Sequence, residues 1–372
     1  MRPAPYLLAL LLLALLAGCS LPYRPPQFIE TDTKFPGLID FVAQAPDRKA
    51  DVLLVHGMCT HDARWATDTV ATLAKQLAAN VQARPSVRGT APEIAPYIEI
   101  VPLDVVTPQG TLRFQSLIWS PLTTPVKQQL CYDQTHKSPI CTGAPPFPYT
   151  RAKFNGKVKD WLLDDCLPDA LAYQGVARDQ IQLRMRNAIL RTMGDRDDGA
   201  PLVVISESLG SKILFDTLLR MTQEGPESRA AQVAEREVRR MAWLIMAANQ
   251  IPLLQVADQP LATQAPLAAQ AAPPDSLQQL LQMRRMPAPA SRRAATPLTL
   301  VAFSDPSDVL TYTLPPERYR EAGAVVYNVL VSTAPTYFGF IQDPVRAHED
   351  YLVNPDVGSL IACGVPRSDK CK

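Results

Sequence analysis

Short apolar runs bounded by turn residues recur along this chain, and stretches with apolar positions at helical spacing separate them. Residues 52–55 form one such run and end on His56-Gly57. A run this short, closed by turn residues, suits a strand buried on both faces. Over 65–81 the apolar residues Val70, Leu73, Leu77 and Val81 recur at helical spacing and predict a helix. Residues 97–106 and 112–120 read as further strands. Residues 157–175 and 176–193 read as helices. A strand over 200–207 then leads into a helix over 211–223, with Leu214, Leu218 and Met221 on one face. Apolar strands return at 241–248, 298–304 and 324–332. Strands alternating with helices predict an α/β fold with a mostly parallel central sheet flanked by helices. In such sheets ligands sit beyond the carboxyl ends of the strands.

Three stretches break the alternation. Residues 1–18 carry Arg2, an apolar run over 6–16 and then small residues, the three-part layout of a secretory signal. The run is shorter than the roughly 20 residues a spanning helix needs. Residues 19–48 are proline-rich and without clear period, and read as a tether ahead of a domain over 49–372. Residues 258–294 are biased toward Ala, Gln and Pro, and read as a flexible surface insertion with room for one short helix.

Charge and cysteines narrow the class. The 372 residues hold 37 Lys+Arg and 36 Asp+Glu, a balance that offers no nucleic-acid surface. Leu16-Ala17-Gly18-Cys19 resembles a bacterial lipobox, which implies lipidation of Cys19, palmitate among the acyl groups, and a membrane attachment through the N-terminal lipid. Ser20 after that cysteine is similar to the pattern of lipoproteins sorted to the outer membrane, so the expected location is the bacterial cell envelope. Beyond Cys19 the cysteines are Cys59, Cys131, Cys141, Cys166, Cys363 and Cys371, an even set that suggests disulfides in an exported chain. Cys131 with Cys141 and Cys363 with Cys371 would close local loops and leave Cys59 and Cys166; spacing alone leaves other pairings open. No CxxC pair is present, and His56 and His61 share one turn with no evident third ligand, so neither a metal nor an organic cofactor is expected.

Chemistry can be placed at four points. Ser208 sits in Ser206-Glu207-Ser208-Leu209-Gly210, between an apolar strand and a helix. A strand-to-helix turn exposes a serine oxygen above a sheet, and the N–H of Leu209, at a helix N-terminus, can hold negative charge. Ser206 stands where such turns carry glycine, and its Cβ is a departure from the usual pattern. His56-Gly57-Met58 follows an early strand and offers the Met58 N–H, with Cys59 as fallback, as a second oxyanion donor. His56 itself reads as a residue that shapes the loop, and His61 as a loop residue. Asp305 and Asp308 lie just beyond the strand at 298–304, and Asp308 is the favoured acid. The chain has four histidines; His136 lies in an irregular stretch over 121–148 with prolines and two cysteines, and His348 alone follows both the serine and the acids.

The order Ser208, Asp308, His348 is that of the α/β-hydrolase triad, and over about 50–352 the chain resembles the α/β-hydrolase superfamily of serine esterases and lipases. The resemblance implies that Ser208 attacks an acyl ester, lipids among the candidates, with His348 as base and Asp308 behind it. It also implies that the Met58 and Leu209 N–H groups form the oxyanion hole. The long stretch between His56 and Ser208 leaves room for a cap, placed at about 121–195. A non-catalytic envelope protein on the same scaffold, or an acyltransferase or thioesterase using the same triad, are the competing expectations; the departure at Ser206 favours the first of these.

Overall fold

The computed structural model describes residues 19–85, 97–194, 199–259, 273–286 and 298–371. Nine strands form the main sheet: β1 (Gln27–Phe28), β2 (Lys49–Val55), β3 (Asn80–Ala83), β4 (Glu99–Thr107), β5 (Gly110–Ile118), β6 (Leu202–Glu207), β7 (Met241–Ala247), β8 (Leu298–Ser304) and β9 (Ala324–Leu330). Their order across the sheet is β1-β9-β8-β7-β6-β2-β5-β4-β3. The strands from β9 to β5 in that order run parallel. The edges β1, β4 and β3 are antiparallel to their neighbours. The fold is therefore α/β with a mostly parallel sheet, as the strand–helix alternation predicts.

Both faces of the sheet are covered, which is why its central strands read as unbroken apolar runs. Val52, Leu54, Val203 and Ile205 belong to one core, and Leu53, Val55, Leu202 and Val204 to the other, following the strand's period of two. On the first face lie α1 (Leu38–Gln44), α2 (Ala63–Gln76) and α8 (Pro355–Cys363). On the second lie α3 (Arg178–Met193), α4 (Ser208–Thr222), α5 (Arg229–Arg240) and α6 (Ser276–Arg285). A short helix, α7 (Pro344–Glu349), follows β9. β2 and β6 are adjacent, yet the chain leaves β2 to build the β3–β5 side before returning to β6. Their carboxyl ends thus flank a switch point, where such sheets form crevices.

Several boundaries differ from the sequence reading. The proline-rich 19–48 stretch is not a free tether. β1 pairs with β9, and α1 buries Leu38, Ile39 and Val42 completely. Those three apolar residues occupy too short a window for a period to show among the prolines; each contributes about 1.5–3 kcal/mol of burial. The 258–294 stretch is not wholly a surface insertion. Asp275 caps α6 in a capping box, and Leu277, Leu280 and Leu281 are buried in the second core. Residues 260–272 and 287–297 lie outside the described residues. The expected cap at 121–195 ends too late, because α3 buries Ile181, Met185 and Ile189 in the main core. The inserted segment is the string of short helical turns from Ser120 to Gln174, including a π-helix over Val158–Cys166. The helix expected over 65–81 stops at Gln76; Ala78 turns with φ of 47°, and Val81 enters β3. The three disulfides are Cys59–Cys166, Cys131–Cys141 and Cys363–Cys371.

Candidate active site

β6 delivers Ser208. It lies between β2 and β7, with Ser206 level with Val55 on one side and Met246 on the other. At Ser208, the first residue of α4, φ is 50°, a left-handed conformation that L-residues adopt only when their surroundings enforce it. The crowding explains the small residues around it. A Cβ on Gly210 would lie 2.0 Å from the His56 carbonyl oxygen, and a Cβ on Gly57 would lie 2.8 Å from the Ser208 Cβ. Ser206, the departure from glycine, is fully buried, and its oxygen accepts a hydrogen bond from the Ser211 hydroxyl at 2.9 Å. Its Cβ therefore has space, and its hydroxyl ties the end of β6 to the first turn of α4.

Ser208 Oγ is 3.0 Å from His348 Nε2, and His348 Nδ1 is 2.9 Å from Asp308 Oδ2. The carboxylate accepts only, so the proton sits on Nδ1, and Nε2 is left to accept from the serine. Asp308 also accepts from the Leu310 N–H at 3.0 Å and from the Tyr351 hydroxyl at 3.1 Å. Asp305 has another task. It accepts from the N–H of Ser307 and Thr333, the Thr333 hydroxyl and the Gln342 amide, which pins the turn after β8 to the segment after β9. The Asp305 N–H donates to the Tyr351 hydroxyl at 2.7 Å, so Tyr351 links the two aspartates. Burial, with the Asp308 charge beside it, holds the Tyr351 phenol well above its ordinary value, so it stays a donor.

The loop after β2 is shaped by His56. Its Nε2 accepts from the Trp119 N–H at 2.8 Å, so its Nδ1 proton points to the Gly57 carbonyl at 2.7 Å. The ring stacks on Trp119 at 4.9 Å. Burial first, and His61 second, lower its pKa well below the usual histidine value, so it is a fixed neutral ring and not a base. In a trans peptide the C=O and N–H point opposite ways, so holding the Gly57 carbonyl turns the Met58 N–H away from His56. Leu209 is the second residue of α4, where the N–H has no intrahelical acceptor. His61 Nε2 lies 3.2 Å from the Met58 carbonyl, and burial pushes its pKa down to about 4. His136 is on the surface, held by Asp160 at 2.8 Å.

Four neighbours carry no motif that sequence reading could use. The Gln250 amide nitrogen, just past β7, approaches Met58 Sδ at 3.3 Å and His348 Nε2 at 3.4 Å. Its only signal was a polar residue at a strand's carboxyl end. Glu207, inside the serine turn, is buried, and burial first, then the Glu349 charge, raise its pKa well above the carboxylate range, so it is held protonated. Glu349, beside His348, is pushed up to about 8, chiefly by burial and then by Asp165. Tyr351 completes the set. The inserted segment is fastened to the loop after β2 by the Cys59–Cys166 disulfide and by Asp165, which accepts from the Thr60 hydroxyl at 2.6 Å and from Lys127 at 2.7 Å. Lys127 is fully buried and also meets Asp169 at 3.2 Å; burial pushes that carboxyl up to about 7.

Such an arrangement can remove the proton from a serine hydroxyl and offer two N–H groups to a developing oxyanion. Ser208 is fully buried and His348 is 2% exposed, so a reactant reaches them only when the covering residues move. Among the described residues, Cys59, Cys166 and Glu349 are close enough to share a metal ion, but the two sulfurs are already joined to each other. Cys19 is exposed and unpaired with another cysteine; residues 1–18, with the expected signal, lie outside the described residues. No helix among the described residues is long and apolar enough to cross a membrane. No known protein-family pattern matches the chain, and no curated protein aligns with it significantly.

Proposed function

We propose that this chain is a serine hydrolase of the α/β-hydrolase type that cleaves carboxylic esters through an acyl-enzyme, as an esterase or lipase. The observation that carries the reading is the relay Ser208–His348–Asp308, with hydrogen bonds of 3.0 and 2.9 Å and the serine held at positive φ on a strand-to-helix turn. His348 Nε2 takes the Ser208 proton as the oxygen attacks the ester carbonyl. The tetrahedral oxyanion is held by the Met58 and Leu209 N–H groups, each contributing about 3 kcal/mol in comparable sites. His348 returns the proton to the departing alcohol. A water deprotonated by the same nitrogen then frees the acid and restores Ser208. No cofactor enters these steps. Lipidation at Cys19 and residence in the bacterial envelope belong to the same proposal, and rest on the sequence of residues 1–20.

A fluorophosphonate probe and short-chain nitrophenyl esters test it. The expected result is covalent labelling of Ser208, and loss of both labelling and hydrolysis in Ser208→Ala. Labelling that persists in Ser208→Ala, or a native chain inert to probe and ester alike, rejects the reading.

A further inference from the structure

After β9 the chain forms a small hairpin, Thr336–Tyr337 paired with Ile341–Gln342. Its tip is held by the Phe340 N–H donating to the Tyr337 carbonyl at 3.0 Å, with φ of 51° at Phe338 and 69° at Gly339. This tip points large apolar side chains into solvent: Tyr337 is 49% exposed, Phe338 60%, Phe340 93% and Ile341 48%. Single exposed apolar residues are ordinary, but a contiguous set on a fixed turn marks an interaction site.

The neighbours of the hairpin say what covers it. Cys19 and Ser20 pair antiparallel with Tyr337 and Thr336, so Cys19 lies in register beside Tyr337. The cysteine whose surroundings resemble a lipidation site is thus one strand away from the aromatic tip. The charged residues that follow the hairpin in the chain are matched: Asp343 with Lys157 and Arg346 with Asp350 at 3.0 Å. The face therefore has little net attraction for an acidic partner. Its free energy comes from apolar burial, and aromatic rings favour the interfacial layer of a bilayer.

We propose that the 336–342 hairpin is a membrane seat, which inserts Phe338 and Phe340 into the interfacial layer of a lipid bilayer beside Cys19. The seat is made by the protein and is distinct from any acyl chain on the cysteine. It also leads straight into α7, which carries His348. The proposal stands apart from ester chemistry at Ser208.

The test uses the chain from residue 19 onward with Cys19→Ser, so that neither the apolar run of residues 6–16 nor an acyl chain binds lipid, and with Phe340→Trp as a reporter. With phosphatidylcholine vesicles, the added tryptophan emission shifts to the blue and is quenched by acyl-chain-brominated lipid beyond the Cys19→Ser parent. High salt leaves this unchanged. In the same Cys19→Ser background, Phe338→Ser/Phe340→Ser lowers vesicle partitioning by about tenfold or more. An introduced tryptophan that stays water-exposed on vesicles, partitioning unaffected by the double substitution, or a strict need for anionic lipid each overturns the proposal. So does self-association in lipid-free buffer that the double substitution abolishes, which would make the face an interface between copies of this chain.

Discussion

Replacing Asp308 with Asn separates the two aspartates that follow β8. Asp308 accepts from three donors: His348 Nδ1, the Leu310 N–H and the Tyr351 hydroxyl. An asparagine keeps the Leu310 bond through a carbonyl oxygen at the Oδ1 position, and its NH2 then takes the Oδ2 position, facing both the imidazole and the Tyr351 hydroxyl. His348 answers by accepting at Nδ1 and carrying its proton on Nε2, where it can no longer take the proton of Ser208. In triads of this geometry the wrong tautomer lowers kcat about 10⁴-fold, or roughly 5.5 kcal/mol of transition-state stabilisation. Stability should fall by about 1–3 kcal/mol, since the Leu310 bond persists while the Tyr351 hydroxyl loses its acceptor. Asp305→Asn gives the opposite pair of results. It disturbs the bonds from Ser307, Thr333 and Gln342, at a cost of about 1–3 kcal/mol, and touches neither Ser208 nor His348. The assay is kcat/KM on a nitrophenyl ester, beside urea denaturation of each variant. The reasoning fails if Asp308→Asn retains turnover within tenfold of the native chain, or if Asp305→Asn abolishes turnover while its denaturation midpoint is unchanged.

Gly210→Ala drives a methyl into the His56 carbonyl oxygen and should cost more than about 3 kcal/mol, read as lost soluble yield or a lower denaturation midpoint. Ser206→Gly keeps the turn but loses the Ser211 bond and adds backbone freedom; the expected result is about 1–2 kcal/mol less stability with ester turnover retained. Lys127→Ala leaves Asp165 and Asp169 buried without their cation and should cost about 3–5 kcal/mol, measured by urea unfolding. Between the ordinary carboxylate range and about pH 8, the folded chain keeps a proton on Glu349 that the unfolded chain has lost, so stability falls as pH rises through that window. Glu349→Gln should flatten that slope in unfolding measurements at pH 5, 6, 7 and 8.

Much of the central sheet was readable because strands buried on both faces become continuous apolar runs. β2, β6, β7 and β8 announce themselves this way, whereas β9 is apolar but exposes Val325. The chain order of Ser208, Asp308 and His348 was readable for a related reason: each follows directly on one of those runs or in the segment after it. What escaped was set by tertiary contact. Leu38, Ile39 and Val42 hide among prolines, and only docking on the sheet makes them core. Gln250 and Tyr351 have no periodic or motif signature; their roles exist only because β7 and the turn after α7 bring them beside Met58 and Asp308. Ser206 looked like a defect when judged against a glycine pattern. The local partner Ser211, one turn along α4, gives its hydroxyl a place that no one-dimensional pattern contains.

The Cys59–Cys166 bridge sets when the loop after β2 is finished. Its two cysteines are 107 positions apart, and one of them directly follows Met58. Before oxidation the loop and the inserted segment are joined by hydrogen bonds, among them Thr60 to Asp165 and the His61 N–H to Ser120. The covalent tie waits for an oxidant, and thiol-rich surroundings withhold it. A freshly made chain is thus an unlocked tool, and the surroundings that oxidise it lock the loop after β2 to the inserted segment.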